Sequence, residues 1–178
     1  MYYVFIRKEI LIMLYYCRSI HRLIVTVDTP VFGNTCLECV EQIQALQKNL
    51  YDQLHAIHDQ TNDGTFGQWI ERITVRTEEI KFEKVAGYIY GKAYCKVEMY
   101  APRNIRFEED SYYPSTEQVV DPLEVFKEIL PCITELQNHN QNTQNQFIET
   151  VGEKNSFVKE QLIMSFNKTF EISQYIGD

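Results

Sequence analysis

The chain is short of the residues from which most catalytic apparatus is built. It has seven glycines and four histidines in 178 residues. Loops that cradle phosphate and relays that pass protons through imidazole therefore have few places to form. No Gly-x-Ser-x-Gly elbow, phosphate loop or Gly-x-Gly-x-x-Gly turn occurs. Positive charge is scarce as well. Seventeen Lys and Arg against 25 Asp and Glu leave a net charge of −8, which repels nucleic-acid backbones and anionic lipid unless cations are gathered locally. A membrane span needs about 20 mostly apolar residues. The run from Ile10 to Cys17 stops at Arg18, and His21 and Arg22 follow, so a simple span is rejected. A signal peptide is rejected too, because no small-residue cleavage site follows the run closely. The five cysteines, Cys17, Cys36, Cys39, Cys95 and Cys132, are odd in number and widely scattered. That excludes a disulfide framework and points to reduced thiols.

What is present is ordinary globular material, 44% hydrophobic and 24% charged. The length predicts a single domain over 1–178. Charge is unevenly placed. Residues 1–30 carry Arg7, Lys8, Arg18 and Arg22 against Glu9 and Asp28, a net +2, which leaves −10 for the rest. Asn, Gln, Tyr and Ile are abundant, a flavour that suits an AT-rich genome such as many phages and viruses have.

The middle of the chain, 69–101, alternates apolar and polar residues, the period of half-buried strands. Three strands are expected there. Ile73 and Val75 point inward in the first, Ile80 and Phe82 in the second, and Ala93, Cys95, Val97 and Met99 in the third. The short connections leave no room for a crossover, so the strands form an antiparallel meander. Gly87 predicts a turn and Gly91 a bulge. Before it, Leu23–Val27 reads as a strand, while 6–20 fits either a helical face or strands. Asp28-Thr29-Pro30 and Gly33-Asn34 read as a loop. A helix over 34–60 opens on Thr35-Cys-Leu-Glu38, a capping box, and presents Leu37, Val40, Ile43, Leu46, Leu50, Leu54 and Ile57 on one face. A C-terminal helical region over 121–176 opens on Asp121-Pro122-Leu-Glu124. Pro131 is expected to kink or break it. The polar tract Gln137–Gln146 reads as a linker or a solvated first turn. Phe147, Val151, Val158, Leu162 and Phe166 continue a helix interrupted near Gly152–Ser156, and Phe157 and Ile163 widen its apolar stripe. The fold class expected is α+β, a small antiparallel β-meander packed with long amphipathic helices.

Three constellations carry possible chemistry. Cys36-x-x-Cys39 follows a strand and opens a helix, where the dipole lowers a thiol pKa. That spacing suits a thiol redox pair, but an antiparallel meander is not the sheet such a pair normally accompanies. His55-x-x-His58 adds two imidazoles. Yet an unbroken helix sets Cys39 and His55 about 24 Å apart, so one metal cannot join them, and no metal or cofactor is expected. The outward sheet face gathers Arg72, Arg76, Lys81, Tyr94, Lys96 and Tyr100, a mix that binds single-stranded nucleic acid elsewhere. Glu83 and Glu98 share that face, and its ordinary reading is a solvated surface.

The leading expectation is a non-enzymatic protein-binding or assembly component, cytoplasmic or in a virion. A viral or phage structural part, or a phage inhibitor of a host machine, fits the profile. It would form homo- or hetero-oligomers through wide helix stripes and tyrosine-rich edges, with Tyr112, Tyr113, Phe157 and Ile163 as contact residues. The alternatives are nucleic-acid binding through the sheet face and CxxC redox activity.

Overall fold

The computed structural model describes residues 2–7, 10–17, 22–60, 65–107 and 118–173, with side chains for 22–59, 66–105, 120–121 and 124–165. Its strands are β1 (Tyr2–Arg7), β2 (Ile10–Cys17), β3 (Arg22–Gly33), β4 (Arg72–Val85) and β5 (Tyr88–Tyr100), with a short parallel pair, β6 (Ile105–Phe107) and β7 (Gln118–Val120). Its helices are α1 (Cys36–Gln60), α2 (Thr65–Trp69), α3 (Pro122–Lys154) and α4 (Ser156–Ser173). The α+β class holds. The first five strands form one antiparallel sheet in the order β1-β2-β3-β5-β4. Of segment 6–20, ambiguous between helix and strand, residues 6–7 and 10–17 are strand, in β1 and β2, and the rest lie outside the described residues.

The sheet alternates as its sequence dictates. Leu23, Val25, Val27, Val31, Ile73, Val75, Cys95, Val97 and Met99 are buried on one face. There all but Val31 meet Leu50 and Leu54 of α1, Phe66 of α2, and Val125, Phe126, Ile129 and Ile133 of α3, while Val31 packs with Cys39 and Ile43 of α1. Each fully buried aliphatic side chain contributes about 1.5–3 kcal/mol. α1 starts on its expected signal: the Glu38 amide donates to Thr35 Oγ1 at 3.2 Å. The Glu38 carboxylate reaches back to the Asn34 amide, at 2.8 Å. The buried stripe of α1 runs through Cys39, Ile43, Leu50 and Leu54. Leu37, expected on that stripe, stands 67% exposed, because burial of Cys39 turns the first helical turn outward.

The connectivity departs from the expected meander at β4. Residues 72–76 and 80–85 belong to one strand, and its register against β5 shifts between Glu78 and Lys81. Glu79 takes φ 53° there, so the bulge sits in β4 and not at Gly91. Ile80 and Phe82 are each 41% exposed rather than core. Gly91 serves close packing instead: a Cβ there would lie 2.9 Å from Val31 Cγ2. The hairpin turn is Ala86-Gly87 between Val85 and Tyr88, with φ of 50° and 84°, the left-handed pair that matches strand twist.

β3 also runs further than its sequence suggests. Asp28–Gly33 is strand, paired to β5 along its whole length, while β2 pairs only with Arg22–Val27. The last six residues of β3 therefore expose an edge, and the chain satisfies it with side-chain amides. Asn140 Nδ2 donates to the Asp28 carbonyl at 2.6 Å, and Gln42 Nε2 donates to the Phe32 carbonyl at 2.8 Å. Between them stands Pro30, which has no N–H to leave unpaired; an edge is where a sheet tolerates proline. The other sheet margin is managed likewise. Gln47 Nε2 donates to the Val75 carbonyl at 3.1 Å, and the Thr77 hydroxyl donates to Gln47 Oε1 at 2.6 Å.

This edge is where α3 passes from one face of the sheet to the other. Its first half packs under Leu23, Val25 and Val27, while Phe147 and Val151 in its second half pack with Tyr90, Phe32 and Tyr88 on the opposite face. Phe147 stacks on Tyr90 at 4.6 Å between ring centroids. The tract Gln137–Gln146 is thus neither linker nor solvated first turn. It is the middle of one helix, with Asn140 fully buried and Gln144 hydrogen-bonded to Tyr90. The helix also continues without a break through Pro131, which is exposed, so the missing bond falls on the water side. The expected interruption comes at Asn155, whose Oδ1 accepts the amides of Phe157 and Val158 at 3.1 and 3.2 Å and caps α4. Among the described residues, no helix is long and apolar enough to cross a membrane.

The Asn140 bond has a direct test. Asn140→Leu keeps the side chain's volume but strips the Asp28 carbonyl of its donor, and should lower stability by about 1–3 kcal/mol. Urea unfolding reads this as a lower midpoint at an unchanged slope. An unchanged midpoint would show that the edge does not depend on this amide.

Candidate functional site

Among the described side chains, the sheet face turned away from α1 is covered at one end and open at the other. At the covered end lie Phe32, Tyr90 and Tyr88 under α3 and α4. At the open end β5 runs between β3 and β4. The register sets Arg22 and Arg72 beside Tyr100, Ile24 and Thr74 beside Glu98, and Thr26 and Arg76 beside Lys96. Glu98 therefore has an arginine on each diagonal and a small Thr74 directly opposite, a geometry in which long side chains reach across strands.

Glu98 is 0% exposed and is the centre of the cluster. Arg22 Nη1 donates to its Oε2 at 2.8 Å, the Tyr100 hydroxyl donates to the same oxygen at 2.5 Å, and Arg76 Nη2 donates to its Oε1. Lys96 Nζ lies 3.7 Å from both Glu98 and Glu78. Burial alone would push the Glu98 carboxyl up. The Tyr100 hydroxyl, Arg76 and Arg22 together outweigh burial and hold it down at about 2. The same carboxylate raises both arginines, with the Tyr100 hydroxyl foremost for Arg22 and the Glu98 bond foremost for Arg76. Arg72 stands outside this network. Its guanidinium lies 4.2 Å from the centroid of the Tyr100 ring, a cation–π contact. Four cations, Arg22, Arg72, Arg76 and Lys96, face two carboxylates, Glu98 and Glu78, for a local net of +2 on a chain of net −8.

Of the residues named for the sheet face, the structure brings together Arg72, Arg76, Lys96 and Tyr100. Tyr94 is at the margin, its hydroxyl donating to Glu78 at 3.3 Å. Lys81 lies beyond the bulge, opposite Lys92, and is not part of the cluster. Sequence reasoning missed two members. Arg22 precedes the β4–β5 hairpin by some fifty residues and joins only through the β3–β5 pairing. Glu98 reads as an opposing surface charge, whereas it is buried and organises the rest. The signal available was a single acid at the centre of Lys96-x-Glu98-x-Tyr100.

The cysteine pair is split by burial. Cys36 is exposed, whereas Cys39 is buried, with its thiol 3.6 Å from the Ile89 carbonyl. Burial pushes the Cys39 thiol up, with smaller contributions from Cys36 and Glu38. Cys36 is therefore the accessible thiol of the pair and Cys39 the buried one. His55 packs its ring 4.2 Å from Tyr51, and His58 Nε2 is 2.7 Å from the Ile70 carbonyl. Both stand on the unbroken α1 with Cys39. No group of three or more metal-holding side chains occurs among the described residues. Phe157 and Ile163 are exposed on α4. Tyr112 and Tyr113 lie outside the described residues.

The Glu98 network carries a pH signature. Its folded pKa lies below the unfolded value, so its stabilisation is complete above the ordinary carboxylate range and fades as pH falls towards 2. Discounted for the solvent that reaches Arg76, this is on the order of 2 kcal/mol. Glu98→Gln should lower stability by about that much at pH 7, with a smaller deficit at pH 3, read by urea midpoints. A constant deficit across that range would place the loss in packing rather than charge. For the cysteines, a maleimide should label Cys36 in the folded protein and Cys39 only after denaturation; equal rates would reverse the burial assignment. Comparison with known proteins finds no matching family model, no matching curated sequence and no matching solved structure.

Proposed function

We propose that this chain is a non-enzymatic binding or assembly component that docks another protein chain through the outward side of α4. One observation carries the reading. α4 packs Val158 and Leu162 inward against Phe32 and Tyr88, yet its outward residues include Phe157 at 68%, Met164 at 57% and Ile163 at 39% exposure. Single exposed apolar residues are common; three within eight positions of one helix form the kind of patch that partners cover. The helix is fixed in place, being capped by Asn155 and tied to α3 by Lys159–Glu149 at 3.1 Å. A rigid surface binds with less entropic loss. Such a component suits a viral or phage particle, or a phage-encoded inhibitor of a host machine, acting in the cytoplasm or the virion.

The second reading is nucleic-acid binding through Arg72, Arg76, Lys96 and Tyr100. The local +2 favours it, and the occupied Tyr100 ring disfavours it. Tyr100 carries Arg72 on its ring, and both Tyr100 and Tyr94 have their hydroxyls on carboxylates, which limits the platform on which bases stack.

Light scattering over a concentration series tests the leading reading. The protein is expected to associate, with itself or with an added partner, and the double variant Phe157→Asp/Met164→Asp to weaken that association about tenfold or more while keeping its urea midpoint within about 0.5 kcal/mol. A strictly monomeric protein that binds nothing, or association untouched by the double variant, would refute it.

A further inference from the structure

We propose that the open end of the sheet is a recognition site for an extended acidic peptide of a partner protein, read by Arg72 and Arg76. The proposal rests on the binding reading above and gives that partner a chemistry. Arg76 spends one guanidinium N–H on Glu98 and keeps a 58% exposed side chain. Among the described residues, Arg72 makes no hydrogen bond or ion pair and rests on the Tyr100 ring. Each guanidinium therefore retains donors in its planar fork, the arrangement that takes a carboxylate by two parallel bonds. Their planes are set in advance, Arg72's by stacking and Arg76's by a carboxylate that stays ionised down to about pH 2.

The spacing selects the ligand's shape. Arg72 and Arg76 stand four residues apart on one face of β4, with the small Thr74 between them. At strand rise that is about 13 Å, which matches acidic residues four apart on a peptide that is itself extended. Lys96, between Glu78 and Glu98, and Arg22, whose buried Nε has no acceptor among the described residues, add positive potential beneath. One observation favours a peptide over a nucleic acid: the Tyr100 ring carries Arg72, and the hydroxyls of Tyr100 and Tyr94 are on carboxylates, so bases find little to stack on.

The test uses the full chain and two fluorescent probes, an octaglutamate peptide and an oligothymidylate of equal charge, read by anisotropy at about 50 mM and about 500 mM salt. Octaglutamate should bind at low salt and be released at high salt. Arg72→Glu should weaken it about tenfold or more, with the urea midpoint unmoved because Arg72 lies outside the Glu98 network. The Phe157→Asp/Met164→Asp double variant should bind octaglutamate as the parent does, which separates this site from the α4 surface. Absence of octaglutamate binding at low salt, or binding indifferent to Arg72→Glu, overturns the proposal. Oligothymidylate binding as tightly as octaglutamate overturns the choice of peptide and assigns the face to nucleic acid.

Discussion

An unpaired strand edge inside a folded chain must find hydrogen-bond partners, and in this protein that constraint falls on the last six residues of β3. β2 pairs with β3 no further than Val27, and the β3 backbone beyond it has β5 on one side only. A buried carbonyl left without a donor costs about 1–3 kcal/mol. Asn140 and Gln42 serve the Asp28 and Phe32 carbonyls, and Pro30 removes the N–H between. A helix whose side chains can bond the edge is free to lie across it. α3 does so, which lets a single helix pack against both faces of the sheet.

The rest of the molecule follows from that crossing. Because α3 changes faces only at Asn140, its second half and α4 cover Phe32, Tyr88 and Tyr90 at one end of that face. Among the described side chains, the other end gathers long, charged residues around Glu98. A lone acid in the central strand collects an arginine from each neighbour and is fully buried beneath them. Buried ion pairs contribute little net stability but strongly penalise loss of one partner. Glu98 thus acts less as an adhesive than as a constraint on where the guanidiniums lie. The outward side of α4 and the arginine-rich end of the sheet are products of one topology, and both face outward from the same side of the sheet.

Much of this was legible beforehand, and the failures have identifiable causes. Burial of Leu23, Val25 and Val27, the inward set of β5, the cap at Thr35 and the start of α3 at Pro122 are written in period and local chemistry. The bulge at Glu78–Lys81 was hidden because nothing in a Thr-Glu-Glu-Ile run marks a left-handed residue, and so one strand read as two. Pro30 looked like a loop because a proline is safe in a strand only if that strand is an edge, a fact settled by its neighbours. The Gln137–Gln146 tract looked solvated because Asn140 and Gln144 interrupt an apolar stripe that otherwise continues from Ile133 and Leu136 to Phe147 and Val151; their partners, Asp28 and Tyr90, are distant in sequence.

By itself the sequence determined what depends on neighbours a few residues apart: the strand period, the helix starts, the acidic balance, the α+β class and the exposed apolar width of the last helix. The tertiary structure decided what depends on residues brought together from afar. It decided which acid is buried, which cations share it, which strand edge is bare and which helix crosses it. The division has a physical basis. Alternation and capping are settled within a turn or a strand, whereas the environment of a charge or an unpaired carbonyl is set by whatever the fold places within about 3–4 Å of it.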